Sequence, residues 1–222
     1  NLLENLLLAG ERIQPQVRTE LGQLSLKEID YLGRLVEDLL FLARVIEPKY
    51  NQRHQRISVS EFLNSEIQSL KTQNPQLKFT VSEDGESADL SVVEGDEHLL
   101  QRLWRNAFEN AIRFAKASIH VELKTTETHL NITIEDDGPG LDDSQLRQFG
   151  VRRSSRQMSQ QNGIDRVSYG FGSIIMVAIA KLHEGDVKIE NIFDAQGHRI
   201  GARLIVRFRR SRAGSAGSSQ RV

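Results

Sequence analysis

The 222 residues contain no cysteine, which excludes a disulfide framework, a thiolate-held zinc centre and a cysteine nucleophile. The lack of thiols fits a reducing compartment. A charge excess is missing too. Lysine and arginine number 29 against 30 aspartates and glutamates, for a formal net charge of -1. A binder of phosphate backbones carries a basic surplus, so nucleic acid is not an expected partner, although a local basic patch stays open. No run of about 18 consecutive apolar residues occurs, so no segment reads as membrane-spanning. No signal-peptide pattern is visible in these residues, and no initiator methionine precedes Asn1. The chain opens inside an apolar helical pattern at Asn1-Leu2-Leu3, as a piece of a longer protein would, and an upstream membrane segment is left open.

The residues that are present divide into two styles of pattern. Residues 1 to about 13 read as a helix with Leu2, Leu3, Leu6, Leu7 and Ile13 on one broad face, and Gly10 and Pro15 bracket a turn. Next comes a long helix from about Val17. Its Ile29, Leu32, Val36, Leu39, Ala43 and Ile46 step by three and four as a heptad seam, widened by Leu35 and Leu42 and ended by Pro48. Such a hairpin cannot bury its own stripes. It either packs on the domain C-terminal to it or forms half of a dimeric four-helix bundle. Residues 49–56 are polar and read as a linker.

Beyond the linker the pattern turns to mixed helix and strand. Ser58 leads into a helix through Leu63, Ile67 and Leu70, and Asp96 caps another that runs to about Phe114. Strands are expected at 78–81, 90–93, 119–123, 130–134, 187–189 and 202–206. Residues 142–169 read as a long polar loop, succeeded by a helix from Ser173 to His183 that Gly185 closes. The expected organisation is a partial dimerisation hairpin (1–48), a linker (49–56), an α/β domain (57–210) and a disordered tail (211–222). The fold class is α+β, a helical hairpin followed by an α/β sandwich with one mixed sheet.

Three constellations carry potential chemistry. Asp136-Asp137-Gly138-Pro139-Gly140 stands at a strand end. It reads as a simple Gly-Pro turn, or as a carboxylate accepting from an exocyclic amine beside glycines that let backbone approach a flat base. Asn106, Asn110 and Arg113 share one face of a helix. Asparagine is a poor helix former, so this stripe is either a solvated polar face or a functional one. An amide oxygen is a suitable neutral ligand for Mg2+, and an arginine one turn on suits phosphate. Gly170-Phe171-Gly172-Ser173 opens a helix, where free amides and the helix dipole favour phosphate oxygens. A plain Gly-Ser helix start reads equally well there.

In this order, the Asn helix, β-hairpin, Asp-x-Gly-Pro-Gly, polar loop and Gly-x-Gly helix resemble the ATP-binding domain of sensor histidine kinases. That domain belongs to the superfamily of gyrase, the chaperone ATPases and the mismatch-repair ATPases. The resemblance covers about residues 57–208. Upstream, Glu28-Ile29-Asp30 with Arg34 to Leu40 and Leu42-Ala43-Arg44 is similar to the second helix of that family's dimerisation hairpin. The resemblance implies a Bergerat-type ATP-binding fold with ATP and Mg2+ as ligands. Asn110 would coordinate the metal, Asn106 would support it, and Arg113 would contact phosphate. Asp136 would read the adenine amine, with Gly138, Gly140, Gly170 and Gly172 shaping the pocket. Residues 142–169 would form the ATP lid, whose Arg152, Arg153 and Arg156 would reach the γ-phosphate, with Phe149 as a weak register mark.

Phosphoryl transfer to a histidine and on to a response regulator's receiver domain is implied, by a homodimer forming the cytoplasmic portion of an inner-membrane protein. Two departures stand out. Ser168 replaces a glycine of the second Gly box, and Ser173-Ile174 replaces Leu-Gly. The family's phosphoacceptor box is also missing; Asn1 begins about where it would just have ended, as truncation would leave it. His54, His98, His120, His129, His183 and His198 lack acceptor context and read as surface or packed polar residues. An ATPase of the same superfamily would place a general-base glutamate where Asn106 stands. A nucleotide-binding pseudokinase is the non-enzymatic alternative.

Overall fold

A computed structural model describes residues 15–45, 55–84, 91–151, 157–161, 164–168 and 171–210. The chain divides into two compact units, Asn1–Tyr50 and Asn51–Val222. The expected first hairpin helix and the tail from residue 211 lie outside the described residues.

In the first unit, α1 is a single 31-residue helix, Pro15–Val45. Its start at Pro15 rather than Val17 suits proline, whose fixed φ and missing N–H are tolerated in a first helical turn. Four residues of the seam stand uncovered, Ile29, Leu32, Val36 and Leu39 being 58%, 53%, 55% and 46% exposed, while Leu42 beside them is buried. Among the described residues, no helix is long and apolar enough to cross a membrane.

The second unit is an α+β sandwich around a five-stranded mixed sheet. The strands are β1 (Gln55–Ser58), β2 (Lys78–Asp84), β3 (Val92–Gly95), β4 (Ser118–Thr125), β5 (His129–Asp136), β6 (Gln157–Gln161), β7 (Ile164–Ser168), β8 (Asp186–Phe193) and β9 (Arg199–Arg209). The main sheet has the order β2-β4-β5-β9-β8. Its β2–β4 pair is parallel, and the other pairs are antiparallel. Strict alternation decides which face is buried. Ile119, Val121 and Leu123 of β4, Leu130, Ile132 and Ile134 of β5, and Leu204, Val206 and Phe208 of β9 all face the core.

Three helices cover that face: α2 (Val59–Gln73), α3 (Glu97–Phe114) and α5 (Phe171–Leu182), with the short α4 (Asp143–Gln148) between the last two. Asp96 caps α3 by accepting from His98 N and Leu99 N, a contribution of about 1 kcal/mol. The helix then buries Leu99, Leu100, Leu103, Trp104, Ala107, Phe108 and Ala111. Trp104 meets Phe208 of β9 edge-on at 6.2 Å. Each large side chain so buried contributes roughly 1.5–3 kcal/mol, which fixes the rotation of α3 and hence the direction of its polar stripe.

Three expectations need correction. Gln55 and Arg56, placed in the linker, belong to β1, which pairs antiparallel with β3. The strand expected at 90–93 is β3, and it joins that two-stranded sheet, not the main one. Residues 142–169 are not simply loop. They contain α4 and the β6–β7 ribbon. The α4 helix forms because Asp142 and Gln145 make a reciprocal capping box, a pattern whose polar composition masks it. Among the histidines, His183 is buried, with Nε2 accepting from Asp96 N at 3.0 Å and Nδ1 donating to Ile179 O. It ties the end of α5 to the start of α3, a packed polar role.

Candidate active site

A cavity of about 410 Å³ opens between the C-terminal half of α3, the segment after β5 and the start of α5. Its apolar wall includes Ala107, Ala111, Ile134, Ile189 and Leu204, and its polar groups include Asn110, Arg113 and Asp136. That is the usual make-up of a small-molecule site, a mainly apolar cleft with few convergent polar groups. Asn110 and Arg113 reach it because the opposite face of α3 is held in the core. The guanidinium of Arg113 also lies 6.0 Å from the ring of Phe114, which lines the same cavity.

Asp136 ends β5 opposite Ala202. Burial raises the pKa of its carboxyl, and the backbone N–H groups of Gly138 and Ala202 pull against that rise. The Gly138 N–H donates to Oδ1 at 2.9 Å. A Cβ on Gly138 would stand 2.6 Å from that same Oδ1 and 2.6 Å from the Phe114 carbonyl oxygen, so only glycine lets the chain fold back over the carboxylate. Gly140 has φ +69°, and a Cβ there would meet Asn191 Oδ1 at 2.7 Å. The segment is thus a shaped cradle, more constrained than a free Gly-Pro turn.

The neighbouring Asp137 has the opposite role. Desolvation raises its pKa, but hydrogen bonds from the N–H groups of Ala117, Ser118 and Lys116 and from the Ser118 hydroxyl outweigh it and hold the value low. This carboxylate pins the loop between α3 and β4, and it does not line the cavity.

Asn106 stands outside the cavity lining. Its Nδ2 donates to Arg102 O at 2.8 Å, and its Oδ1 would lie 2.7 Å from a Cβ on Gly172. Asn106 is therefore the point where α3 and the start of α5 meet, with Gly172 allowing the approach. The cavity brings together Asn110, Arg113, Asp136, Gly140 and Gly172, with Ser173 beside them; Gly138 braces Asp136 from just outside. Gly170, Arg152, Arg153 and Arg156 lie outside the described residues. Ser168 ends β7. Phe149, the weak register mark, lines the cavity as the C-cap of α4.

Residues that sequence reasoning missed include Gln145 and Arg199, which line the cavity, and Asn191, which braces its wall. An asparagine inside a strand runs against β-propensity, and that was the available signal for Asn191. Arg199 had none. Among the described residues, no group of three or more histidines, aspartates or glutamates is placed to hold a metal ion.

Residues 95–212 match the family model described as histidine kinase-, DNA gyrase B-, and HSP90-like ATPase. The chain belongs to that family. Within it, the similarity is to sensor histidine kinases. The chain is 28% identical over 203 residues to the sensor protein BasS of Escherichia coli (strain K12), covering 89% of this chain and 54% of that protein. It is 27% identical over 170 residues to the sensor histidine kinase CssS of Bacillus subtilis (strain 168), covering 76% and 35%. It thus spans only about a third to a half of these relatives. Among solved structures, histidine kinase ThkA in complex with response regulator TrrA aligns with a TM-score of 0.72 at 13% identity, over 95% of this chain and 57% of that one. The Acinetobacter baumannii histidine kinase AdeS aligns with a TM-score of 0.67 at 16% identity, over 94% and 91%. These likenesses establish the fold.

Proposed function

We propose that this chain is the catalytic portion of a sensor histidine kinase. It binds Mg-ATP in the α3–α5 cavity and delivers the γ-phosphoryl to a histidine on the dimerisation hairpin, from which it passes to a receiver-domain aspartate. The observation that carries this reading is the convergence of Asn110, Arg113, Asp136, Gly140 and Gly172, from three separate stretches of chain, on one cavity.

The residues fit a nucleotide. The glycines let Asp136, Asn191 and Asn106 pack closely around the cavity, and the apolar wall of Ile134, Ile189 and Leu204 suits a flat base. Asp136, whose carboxylate is steadied by the backbone N–H groups of Gly138 and Ala202, accepts from the exocyclic amine of adenine. Arg113 neutralises phosphate charge. Asn110 would offer one neutral oxygen to Mg2+, whose positive charge would offset that of the phosphates. The work of the protein is therefore positioning and charge neutralisation. Gly170, Arg152, Arg153 and Arg156 complete the proposed site from the second Gly box and the lid.

The uncovered seam of α1 supports a homodimer through the hairpin. The proposed setting is the cytoplasmic side of an inner-membrane sensor. Asn106 bears no carboxylate to act as general base for water, which weighs against a hydrolytic ATPase.

Calorimetric titration with ATP and Mg2+ tests the reading. One site per chain is expected, competed by ADP. With γ-labelled ATP, acid-labile label is expected on a hairpin histidine of the full sensor and none on this chain alone. Nucleotide binding with no label on the full sensor would favour the pseudokinase, and an absence of nucleotide binding would overturn the reading of the cavity as an ATP site.

A further inference from the structure

One side chain outside the cavity holds a cavity wall by its backbone. Asn191, on β8, satisfies both main-chain groups of Leu141. Its Oδ1 accepts from Leu141 N at 2.7 Å, and its Nδ2 donates to Leu141 O at 2.8 Å. Both distances lie within the ordinary range of amide hydrogen bonds. A carboxamide used in this way imitates the facing edge of a β-strand, although Leu141 belongs to no strand. Arg199, opposite Phe193 across the β8–β9 pair, donates to the same Leu141 carbonyl oxygen from the cavity side.

The neighbours of Leu141 show what the clamp controls. Upstream, Gly140 takes φ +69°, and Asn191 Oδ1 lies in the space of its missing Cβ. Downstream, Asp142 caps α4 through its box with Gln145. Gly140, Leu141, Asp142, Gln145 and Phe149 all line the cavity. The clamp therefore sits at the joint between the Asp136 cradle and the helix that opens the proposed lid, some 50 residues away in sequence. Without Asn191, the Leu141 N–H loses its protein acceptor and must find water, and the wall gains freedom that a ligand would then have to remove.

We propose that Asn191 is a positioning residue for nucleotide binding, which with Arg199 pre-sets Leu141 and the root of α4 in the binding-competent arrangement. This rests on the cavity being the ATP site.

The test uses the whole chain with Mg-ATP as probe. Asn191→Ala is expected to raise the Kd about tenfold, to speed hydrogen exchange at the Leu141 amide, and to leave the melting temperature within a few degrees of the parent. Asn191→Asp keeps the acceptor for Leu141 N–H and loses the donor. It is expected to restore slow exchange and bring the Kd back to within about threefold of the parent, a rescue that a purely structural role would not produce. Unchanged exchange in Asn191→Ala would show that the clamp does not hold Leu141. Faster exchange with an unchanged Kd would make Asn191 a structural brace and overturn the proposal. If the alanine variant fails to fold, Asn191→Ser, which removes the carboxamide with a smaller loss of polarity, decides by the same two measurements. If the parent binds no nucleotide, the ATP-site reading falls and the proposal with it, and the parent's own titration separates that outcome from failure of the clamp alone.

Discussion

The two ends of the cavity are built by different means. At one end, Asn110 and Arg113 project from α3, whose other face is locked in the core by seven buried side chains. Their placement follows from helical periodicity and one well-packed stripe. At the other end, Asp136 closes β5, and Gly140 and Leu141 lie on the irregular chain after it, whose course is set residue by residue. The Gly138 and Ala202 amides hold the Asp136 carboxylate, and the Asn191 side chain holds both main-chain groups of Leu141. Helix-borne groups are robust because many contacts share the work. Loop-borne groups are shaped more finely but depend on single remote partners.

The sharpest way to break this contrast is Asp136→Asn. Removing the charge while keeping the shape should weaken ATP binding by about a hundredfold. Because burial raises the pKa of Asp136, its ionised form is disfavoured in the folded state. The folded chain takes up that proton more readily than the unfolded one, so the group opposes folding above its folded-state pKa. The variant should therefore melt slightly higher than the parent while binding ATP worse. A lower melting point together with lost binding would point to a damaged fold rather than a lost contact.

At the helix-borne end the effect should be smaller. Asn110→Ala is expected to cost about tenfold in ATP affinity in saturating magnesium and little without magnesium, with the fold intact. Titration across a magnesium series checks this. Equal affinity for variant and parent throughout would remove Asn110 from the metal.

Asp137→Asn should change nucleotide affinity least, since the side chain points away from the cavity into the α3–β4 loop. Its effect is on stability, about 1–2 kcal/mol or a few degrees of melting temperature. The pKa of Asp137 is held below the ordinary 3.8. Its stabilisation is thus complete above the unfolded-state value and is lost as pH falls through the folded-state one. The melting difference between parent and variant should vanish in that acid range, and a difference persisting there would assign it to packing instead.

The contrast between helix-borne and loop-borne groups also separates the legible residues from the hidden ones. Helix stripes, strand alternation and the order of the three motifs are written in the sequence, because they depend on local period and local turn chemistry. Asn110, Arg113, Asp136 and Gly172 stand out in this way as candidates, and the fold sets them around one cavity. Closure of the fold was needed to decide that Asn106 faces Gly172 rather than the cavity, that Asp137 is a loop brace beside a site carboxylate of the same type, and that Gln55–Ser58 pairs with Val92–Gly95. It also brought Asn191 and Arg199 to Leu141, across separations of 50 and 58 residues. Periodicity reports which side of an element a residue occupies. It holds no information on which distant backbone will stop within hydrogen-bonding distance, since that is settled only when the sheet and helices close around a common core.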